Sequence, residues 1–181
     1  MKKTLKIPVF LFLFCSITSC LENVDFDQIN ELNFRPVIKT TLVYFTVNQT
    51  DFLDNTTEIG SVADISPFTF LKSTFVQDNL LKAELEFQIV NNFNRTFTVN
   101  IEFLDDNDDV THGFKEFEIN ANQQHFNQIE TIIIATNQMF LSSTKVKIIV
   151  GLSPSTNGSV LDPDNPQTLE FNSAGTYYLN I

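Results

Sequence analysis

The sequence predicts an all-β domain, built as a two-sheet antiparallel sandwich of immunoglobulin type with about eight strands. Three observations favour this fold class. Apolar and polar residues alternate with a period of two along most of the chain, short polar turns interrupt the alternation, and helical periodicity is nearly absent. A closed barrel is the alternative architecture.

Residues 81–89 and 97–103 are predicted to form a β-hairpin, because both runs alternate strictly and a short asparagine-rich segment separates them. Phe93 lies at the tip of this hairpin and is the best candidate for an exposed aromatic side chain. The apolar positions of the two strands are Leu81, Ala83, Leu85, Phe87 and Ile89, then Phe97, Val99, Ile101 and Phe103.

A second turn over residues 105–109 leads to a strand over 110–119. Its inward parity switches between Phe114 and Phe117, which indicates a β-bulge near Lys115. The remaining strands are expected at 37–47, 67–76, 126–135, 145–152 and 175–181.

The same pattern predicts one buried strand segment and two connections between strands. Ile132, Ile133 and Ile134 are apolar on both faces, which is typical of a central strand. A helical turn over 137–141 is expected to cross between the sheets. Residues 153–166 contain three prolines and a glycine and are expected to form a long loop.

The chain divides into a signal peptide (1–19), an acidic tether (20–35) and the sandwich domain (36–181). Three lysines precede an apolar run that ends at Cys15, as in a secretory signal. A membrane-spanning helix needs about 20 consecutive apolar residues, and Ser16 interrupts the run too early. The first 19 residues are therefore expected to be removed on export.

The segment Ile17-Thr18-Ser19-Cys20 resembles the lipobox of bacterial lipoproteins. The resemblance implies cleavage before Cys20, a diacylglycerol on its sulfur and an acylated amino group. Two or more acyl chains hold a protein on a membrane essentially permanently. Cys20 is thus the expected lipidation site, and the membrane is the first expected partner.

The residue after the cysteine is Leu21 and not Asp, which by the sorting rule of such lipoproteins implies the outer membrane. Glu22, Asp25 and Asp27 weakly resemble the acidic export signal of surface lipoproteins, so surface exposure is favoured slightly over the periplasm. The alternative is an ordinary secretory signal followed by an unrelated cysteine. Against it, Cys15 and Cys20 are the only cysteines, and Cys15 would leave with the signal.

Charge excludes one class of partner. The formal net charge is −11, and removal of Lys2, Lys3 and Lys6 with the signal changes it to −14. A field of this sign repels nucleic acid and anionic lipid headgroups. The sequence therefore predicts no nucleic-acid binding.

Asp105, Asn107 and Asp109 are weak calcium candidates, because their alternation matches the start of an EF-hand loop. Val110 occupies the position where that loop requires glycine, and an acidic turn explains the residues without a metal. His112 and His125 lack the further ligands of a zinc site. No metal and no cofactor are expected.

No catalytic residues are expected either. The chain contains no G-x-S-x-G segment and no glycine-rich loop. The leading hypothesis is a non-enzymatic, lipid-anchored envelope protein that binds a protein partner or acts as an accessory subunit. The alternative is a surface glycan- or polymer-binding module, for which the sequence offers no tryptophan and one clearly outward tyrosine, Tyr178.

Overall fold

The computed structural model describes residues 34–55, 57–155 and 158–181, in which eleven strands form. One short helix, α1 (Thr74–Asn79), and several 3-10 turns connect them. The strands are β1 (Val37–Asn48), β2 (Leu53–Asp54), β3 (Thr57–Glu58), β4 (Ser61–Pro67), β5 (Leu80–Asn91), β6 (Phe97–Leu104), β7 (Val110–Gly113), β8 (Phe117–Ile119), β9 (Phe126–Ile133), β10 (Lys145–Leu152) and β11 (Thr168–Leu179).

The strands pair into two main antiparallel sheets. Sheet I has the order β1-β11-β5-β9, and sheet II has the order β4-β10-β6-β7, with β8 also paired to β6. Strands β2 and β3 form a separate two-residue ribbon. The two-sheet antiparallel sandwich of about eight strands is confirmed.

The strand order defines the connectivity. When β7 and β8 are counted as one strand and the β2–β3 ribbon is omitted, the eight remaining strands can be renumbered 1 to 8 in chain order. Sheet I then has the spatial order 1-8-3-6, and sheet II has the spatial order 2-7-4-5. This order is the double Greek key of a jelly roll, where an immunoglobulin order had been expected. Within the two main sheets, every pair of neighbouring strands except β6 with β7 and β8 is therefore formed by segments that are not consecutive in the chain.

Phenylalanine rings fill the space between the sheets. Strand β11 buries every second side chain, as its period-two pattern requires. The ring of Phe87 in sheet I lies 5.7 Å from that of Phe117 in sheet II, and 5.6 Å from that of Phe114 between β7 and β8. Large aromatic side chains bury much apolar area each, so a few contacts of this kind bind the two layers together.

The expected hairpin of 81–89 with 97–103 is wrong, because β5 belongs to sheet I and β6 to sheet II. The loop between them crosses the sandwich, and the ring of Phe93 is fully buried there, 4.9 Å from the ring of Phe97. The expectation that Phe93 is exposed is therefore wrong too.

The buried side chain of Asn91 explains how this crossing loop holds its shape. Its Nδ2 donates hydrogen bonds to the backbone oxygens of Arg95 and Asn120, at 2.9 and 2.8 Å. Its Oδ1 accepts one from the backbone N–H of Phe93, at 2.9 Å. A buried amide that is satisfied in this way stabilises the loop and does not cost the free energy of an unpaired polar group.

Two other strand predictions are wrong. Residues 67–76 form a 3-10 turn and the start of α1, while the strand lies earlier, at β4. Pro67 cannot donate to a ladder and ends that strand. The isoleucine run does not form a central strand, because β9 is an edge strand of sheet I and Ile133 is 44% exposed.

Several local predictions are confirmed. Between the pairs Val99–Phe117 and Glu102–Gly113, two residues of β6 face three residues that include Lys115, which is the expected bulge. Strand β10 has the expected bounds, β1 extends one residue further than expected, and the last strand begins earlier, at Thr168. The helical turn at Gln138–Ser142 leads from sheet I to sheet II, as expected.

The described domain begins at Phe34, slightly before the expected boundary at residue 36. The backbone N–H of Phe34 donates to the oxygen of Ile181 at 3.3 Å, and the N–H of Ile181 donates to the oxygen of Phe34 at 2.9 Å. Phe34 thus pairs with Ile181, the residue that follows β11 by two positions, at the end of sheet I. Residues 1–33, including the signal and most of the expected tether, lie outside the described residues.

Replacement of Phe93 by alanine is expected to lower the free energy of unfolding by about 3–5 kcal/mol, because it leaves a cavity between the sheets. Chemical denaturation measures the change. Phe75→Ala is the matched control, since Phe75 is 48% exposed on α1. Similarly small losses of unfolding free energy for both variants would contradict the burial of Phe93 in the loop that crosses between the sheets.

Candidate functional site

The outer face of sheet I carries a continuous array of polar side chains. Side chains on a strand alternate between the two faces, so each strand that buries one set in the core presents the other set outward. The register brings the outward residues of four strands into rows across the face. Two adjacent rows are Tyr44, Asn172, Gln88 and Asn127, and Thr41, Ala174, Glu86 and Ile129.

A shallow depression of about 240 Å³ lies at the centre of this face. Ala174 stands between Thr41 on β1 and Glu86 on β5, and its small side chain leaves the space open. Asn172 and Gln88 line one side of the depression, so it offers amide, hydroxyl and carboxylate groups to a ligand.

Glu86 is the central charge of the depression. Its Oε1 accepts hydrogen bonds from Gln88 Nε2 at 2.8 Å and from Asn127 Nδ2 at 3.3 Å, and Lys39 Nζ lies 3.7 Å from Oε2. The bond from Gln88, followed by those from Asn127 and Lys39, lowers the pKa of Glu86. The carboxylate is therefore ionised and held in one orientation.

A second cluster lies on the same face, two residues earlier on β5. Lys82 Nζ lies 2.7 Å from Glu84 Oε1 and 4.1 Å from the centre of the Tyr178 ring, and the Tyr178 hydroxyl donates to Glu84 Oε2 at 2.7 Å. The bond from Lys82, followed by that from Tyr178, lowers the pKa of Glu84. Tyr178 faces outward, as its position in the sequence predicted, but its hydroxyl is already engaged.

Tyr44 supplies the exposed aromatic ring of the face. It is 65% exposed and stands opposite Asn172 on β11, directly beside the depression. Its outward position does not follow from the local sequence. A bulge in β1 between Thr41 and Tyr44 changes which side chains point outward, and only the pairing with β11 shows where the alternation shifts.

The end of the sandwich at the loop between β5 and β6 contains a buried ion pair that the local sequence does not reveal. Arg95 is 7% exposed, and its guanidinium lies 3.0 Å from Glu58 Oε1. It also donates to the backbone oxygens of Ser153 and Ser159 at 2.6 and 3.2 Å, while the N–H of Leu161 donates to Glu58 at 2.6 Å. The pair holds the loop after β10 against the β2–β3 ribbon, which is a structural role.

The weak calcium candidates lie in the turn between β6 and β7. Asp105 Oδ1 accepts hydrogen bonds from the backbone N–H groups of Asn107 and Asp109, at 2.8 and 3.0 Å. Lys145 Nζ bonds to Asp108 Oδ1 at 2.6 Å and to the oxygen of Asp106 at 3.2 Å. An ammonium group thus already interacts with this turn. Within the described ranges, no group of three or more acidic, histidine or cysteine side chains could hold a metal ion.

The two histidines lie apart. His112 packs edge-on against Phe114 at 4.9 Å and against Phe140 at 5.9 Å, and burial lowers its pKa below the usual range. His125 is exposed just before β9. The expected lipidation site Cys20 lies outside the described residues.

Comparisons with known proteins give a likeness of fold only. No family model and no curated protein matches the chain. A Parabacteroides distasonis protein aligns with a TM-score of 0.49 and 14% identity over 65% of this chain and 38% of that one.

Two viral structures align over more of the chain. The VP2 subviral particle of infectious bursal disease virus gives a TM-score of 0.42 and 7% identity over 80% of this chain and 32% of the other. Tailspike protein 4 of bacteriophage CBA120 gives a TM-score of 0.38 and 11% identity over 81% of this chain and 19% of the other. This chain thus spans well under half the length of these proteins, and they bring no activity or ligand to it.

Helices long and apolar enough to cross a membrane do not occur in the part of the chain that the structure describes.

Arg95→Ala is expected to destabilise the domain by about 3–5 kcal/mol, because it leaves Glu58 partly buried without its partner. Thermal or chemical unfolding measures the effect. Lys147→Ala is the matched control, since Lys147 forms an ion pair with Glu102 at 3.4 Å near the surface and should contribute about 0–1 kcal/mol. Equal effects of the two substitutions would show that the buried pair does not hold the loop.

Proposed function

We propose that the protein is a lipid-anchored, non-enzymatic binding protein of a bacterial outer membrane. Its binding site is the outer face of sheet I, and its ligand is a glycan or similar polar polymer at the cell surface. The observation that carries the proposal is the exposed ring of Tyr44 beside a depression lined by oriented amide and carboxylate groups.

The chemistry of the depression fits a sugar. Sugar hydroxyl groups form hydrogen bonds with carboxylates, which accept, and with amides, which both donate and accept. Glu86 and Gln88 are already held in place by their neighbours, so binding a ligand would order few additional side chains. A sugar ring could pack its apolar face on Tyr44 while its hydroxyls reach Asn172 and Gln88.

The electrostatics of the face support binding over acid catalysis. A carboxyl group that acts as a general acid near neutral pH needs a raised pKa. The pKa values of Glu84 and Glu86 are instead lowered by the side chains that donate to them. These carboxylates therefore serve as fixed hydrogen-bond acceptors.

The anchor and the location rest on the sequence at Ile17-Thr18-Ser19-Cys20 and on Leu21. A diacylated or triacylated Cys20 would hold the domain at the membrane, and the acidic residues that follow favour the cell surface slightly over the periplasm.

A protein partner is the second candidate. The outer side of edge strand β4 presents Ala63, Ile65 and Pro67, and Ile65 is 49% exposed. Ala63 is paired with Ile149 on β10, which extends the apolar strip by one strand. A partner that covered this strip would make the protein an accessory subunit of an envelope complex.

Tyr44→Ala is expected to weaken glycan binding about fivefold, since aromatic packing contributes about 1 kcal/mol. Ala174→Arg should abolish binding, because the long side chain fills the depression. Affinity electrophoresis against a panel of soluble polysaccharides measures both variants. The control is Phe75→Ala, an exposed aromatic residue away from the sheet face. If no polysaccharide retards the wild-type protein, or if all variants bind equally, the glycan-binding proposal is wrong.

Cys20→Ala is expected to move the protein from the membrane fraction to the soluble fraction, because the acyl chains have no other attachment point. Fractionation followed by immunoblotting checks this. Cys15→Ala removes the neighbouring cysteine from the expected signal and should leave the protein on the membrane. Retention of the Cys20 variant after a high-salt wash would refute the anchor.

A further inference from the structure

The four edges of the sandwich differ in how they are protected against pairing with another strand. An edge strand exposes unpaired backbone groups, and proteins usually blunt it with a bulge, a proline, an inward charge or an interruption. Sheet I ends at β1 and β9, and sheet II ends at β4 and at β7 with β8.

Three of these edges carry a bulge or a proline. The register of β1 shifts between Thr41 and Tyr44, which bends the strand. Strand β4 ends in Pro67 and points Asp64 toward the core side, opposite Ile148. The fourth strand of sheet II is broken by the bulge that separates β7 from β8.

Strand β9 has no bulge and no proline, and its one protecting device is the inward charge of Glu130, which lies opposite the buried Leu85 on β5. Its eight residues pair with β5 in an unbroken register, from Phe126 opposite Ile89 to Ile133 opposite Lys82. It contains no proline, glycine or lysine, and Glu130 is its one charge. Ile129 and Ile133 on its outer side are 56% and 44% exposed. Of the residues that the structure describes, none forms backbone pairs with its second side.

The sequence of β9 is complementary to itself. In an antiparallel pair about a two-fold axis, one residue faces its own copy. With the axis at Ile129, Gln128 lies opposite Glu130 of the second copy, so the amide, which donates to Glu130 of its own chain at 3.1 Å, also lies beside the carboxylate of the other copy. Ile129 then faces Ile129, and the seven residues from Phe126 to Ile132 are paired. An axis at Glu130 would instead place two carboxylates face to face, which is destabilising.

We propose that two copies of this protein pair through β9, antiparallel about a two-fold axis at Ile129, and join their first sheets into one eight-stranded sheet. Both copies carry a net negative charge, but at physiological ionic strength this repulsion is screened beyond about 8 Å. The strand edge is a small interface, so the dimer is weak in solution. Confinement of both copies to one membrane raises their effective concentration and favours the dimer.

The dimer would bring the two outer faces of sheet I side by side. This juxtaposition would let one polymer chain contact both depressions, but the pairing itself does not depend on the proposed ligand.

A cysteine at the axis tests the pairing in cells that make the full-length protein. In Ile129→Cys the two thiols face each other across the strand pair, within the Cα separation that a disulfide requires. We expect mild oxidation to give a dimer on a non-reducing gel. Thr46→Cys, on the exposed side of the bulged edge β1, should stay monomeric, as should the wild-type chain. Equal dimer yields for Ile129→Cys and Thr46→Cys would overturn the proposal.

Charge substitutions at Gln128 test the register with the purified full-length protein in detergent. Gln128→Glu places two carboxylates opposite each other and should weaken the dimer at least tenfold, whereas Gln128→Lys adds an ion pair with Glu130 and should strengthen it. Sedimentation equilibrium measures both, and circular dichroism checks that both are folded. A wild-type protein that is monomeric at every concentration, or two variants that shift the equilibrium in the same direction, would contradict the pairing.

Discussion

The jelly roll depends on the place where the chain leaves sheet I after β5. If the segment after Asn91 turned back on itself, β5 and β6 would form a hairpin and the strand order would change. The buried ring of Phe93 and the three hydrogen bonds of the Asn91 amide hold the chain in the crossing conformation instead. One apolar ring and one satisfied amide thus decide which strands become neighbours.

The same end of the molecule is closed by an ion pair. Arg95 follows the crossing loop directly and reaches Glu58 in the small ribbon and two backbone oxygens in the loop after β10. Three separate segments of the chain meet at one guanidinium group. Because a buried charge is costly without its partner, these segments can pack there only together.

Closure of the core leaves two kinds of surface on sheet I. Its outer face is polar and ordered, with Glu84 and Glu86 each held by neighbouring donors and Tyr44 standing free beside them. Its edge strand β9 pairs with β5 in an unbroken register and exposes isoleucines. A binding face and a pairing edge thus lie on one sheet, which is the basis for proposing both a ligand and a second copy.

The fold class and most of the strands follow from the sequence pattern. Period-two alternation reports which residues face the core, so it placed β1, β6 and β10 and the bulge near Lys115. The anchor at Cys20 also follows from local sequence alone, and it stays a prediction. Alternation does not report which strands are neighbours, because each strand buries the same face whichever partner it takes.

The strand partners, and with them the candidate site, depend on long-range packing. Local sequence favoured a hairpin at Asn91–Asn94, yet burial of Phe93 between the layers is a long-range effect that short-range turn preferences do not contain. The isoleucine run of β9 predicts a central strand buried on both faces, but the strand order places it at the edge of sheet I. The depression around Ala174 and Glu86 draws its side chains from three strands that are far apart in the sequence, so no local motif could reveal it.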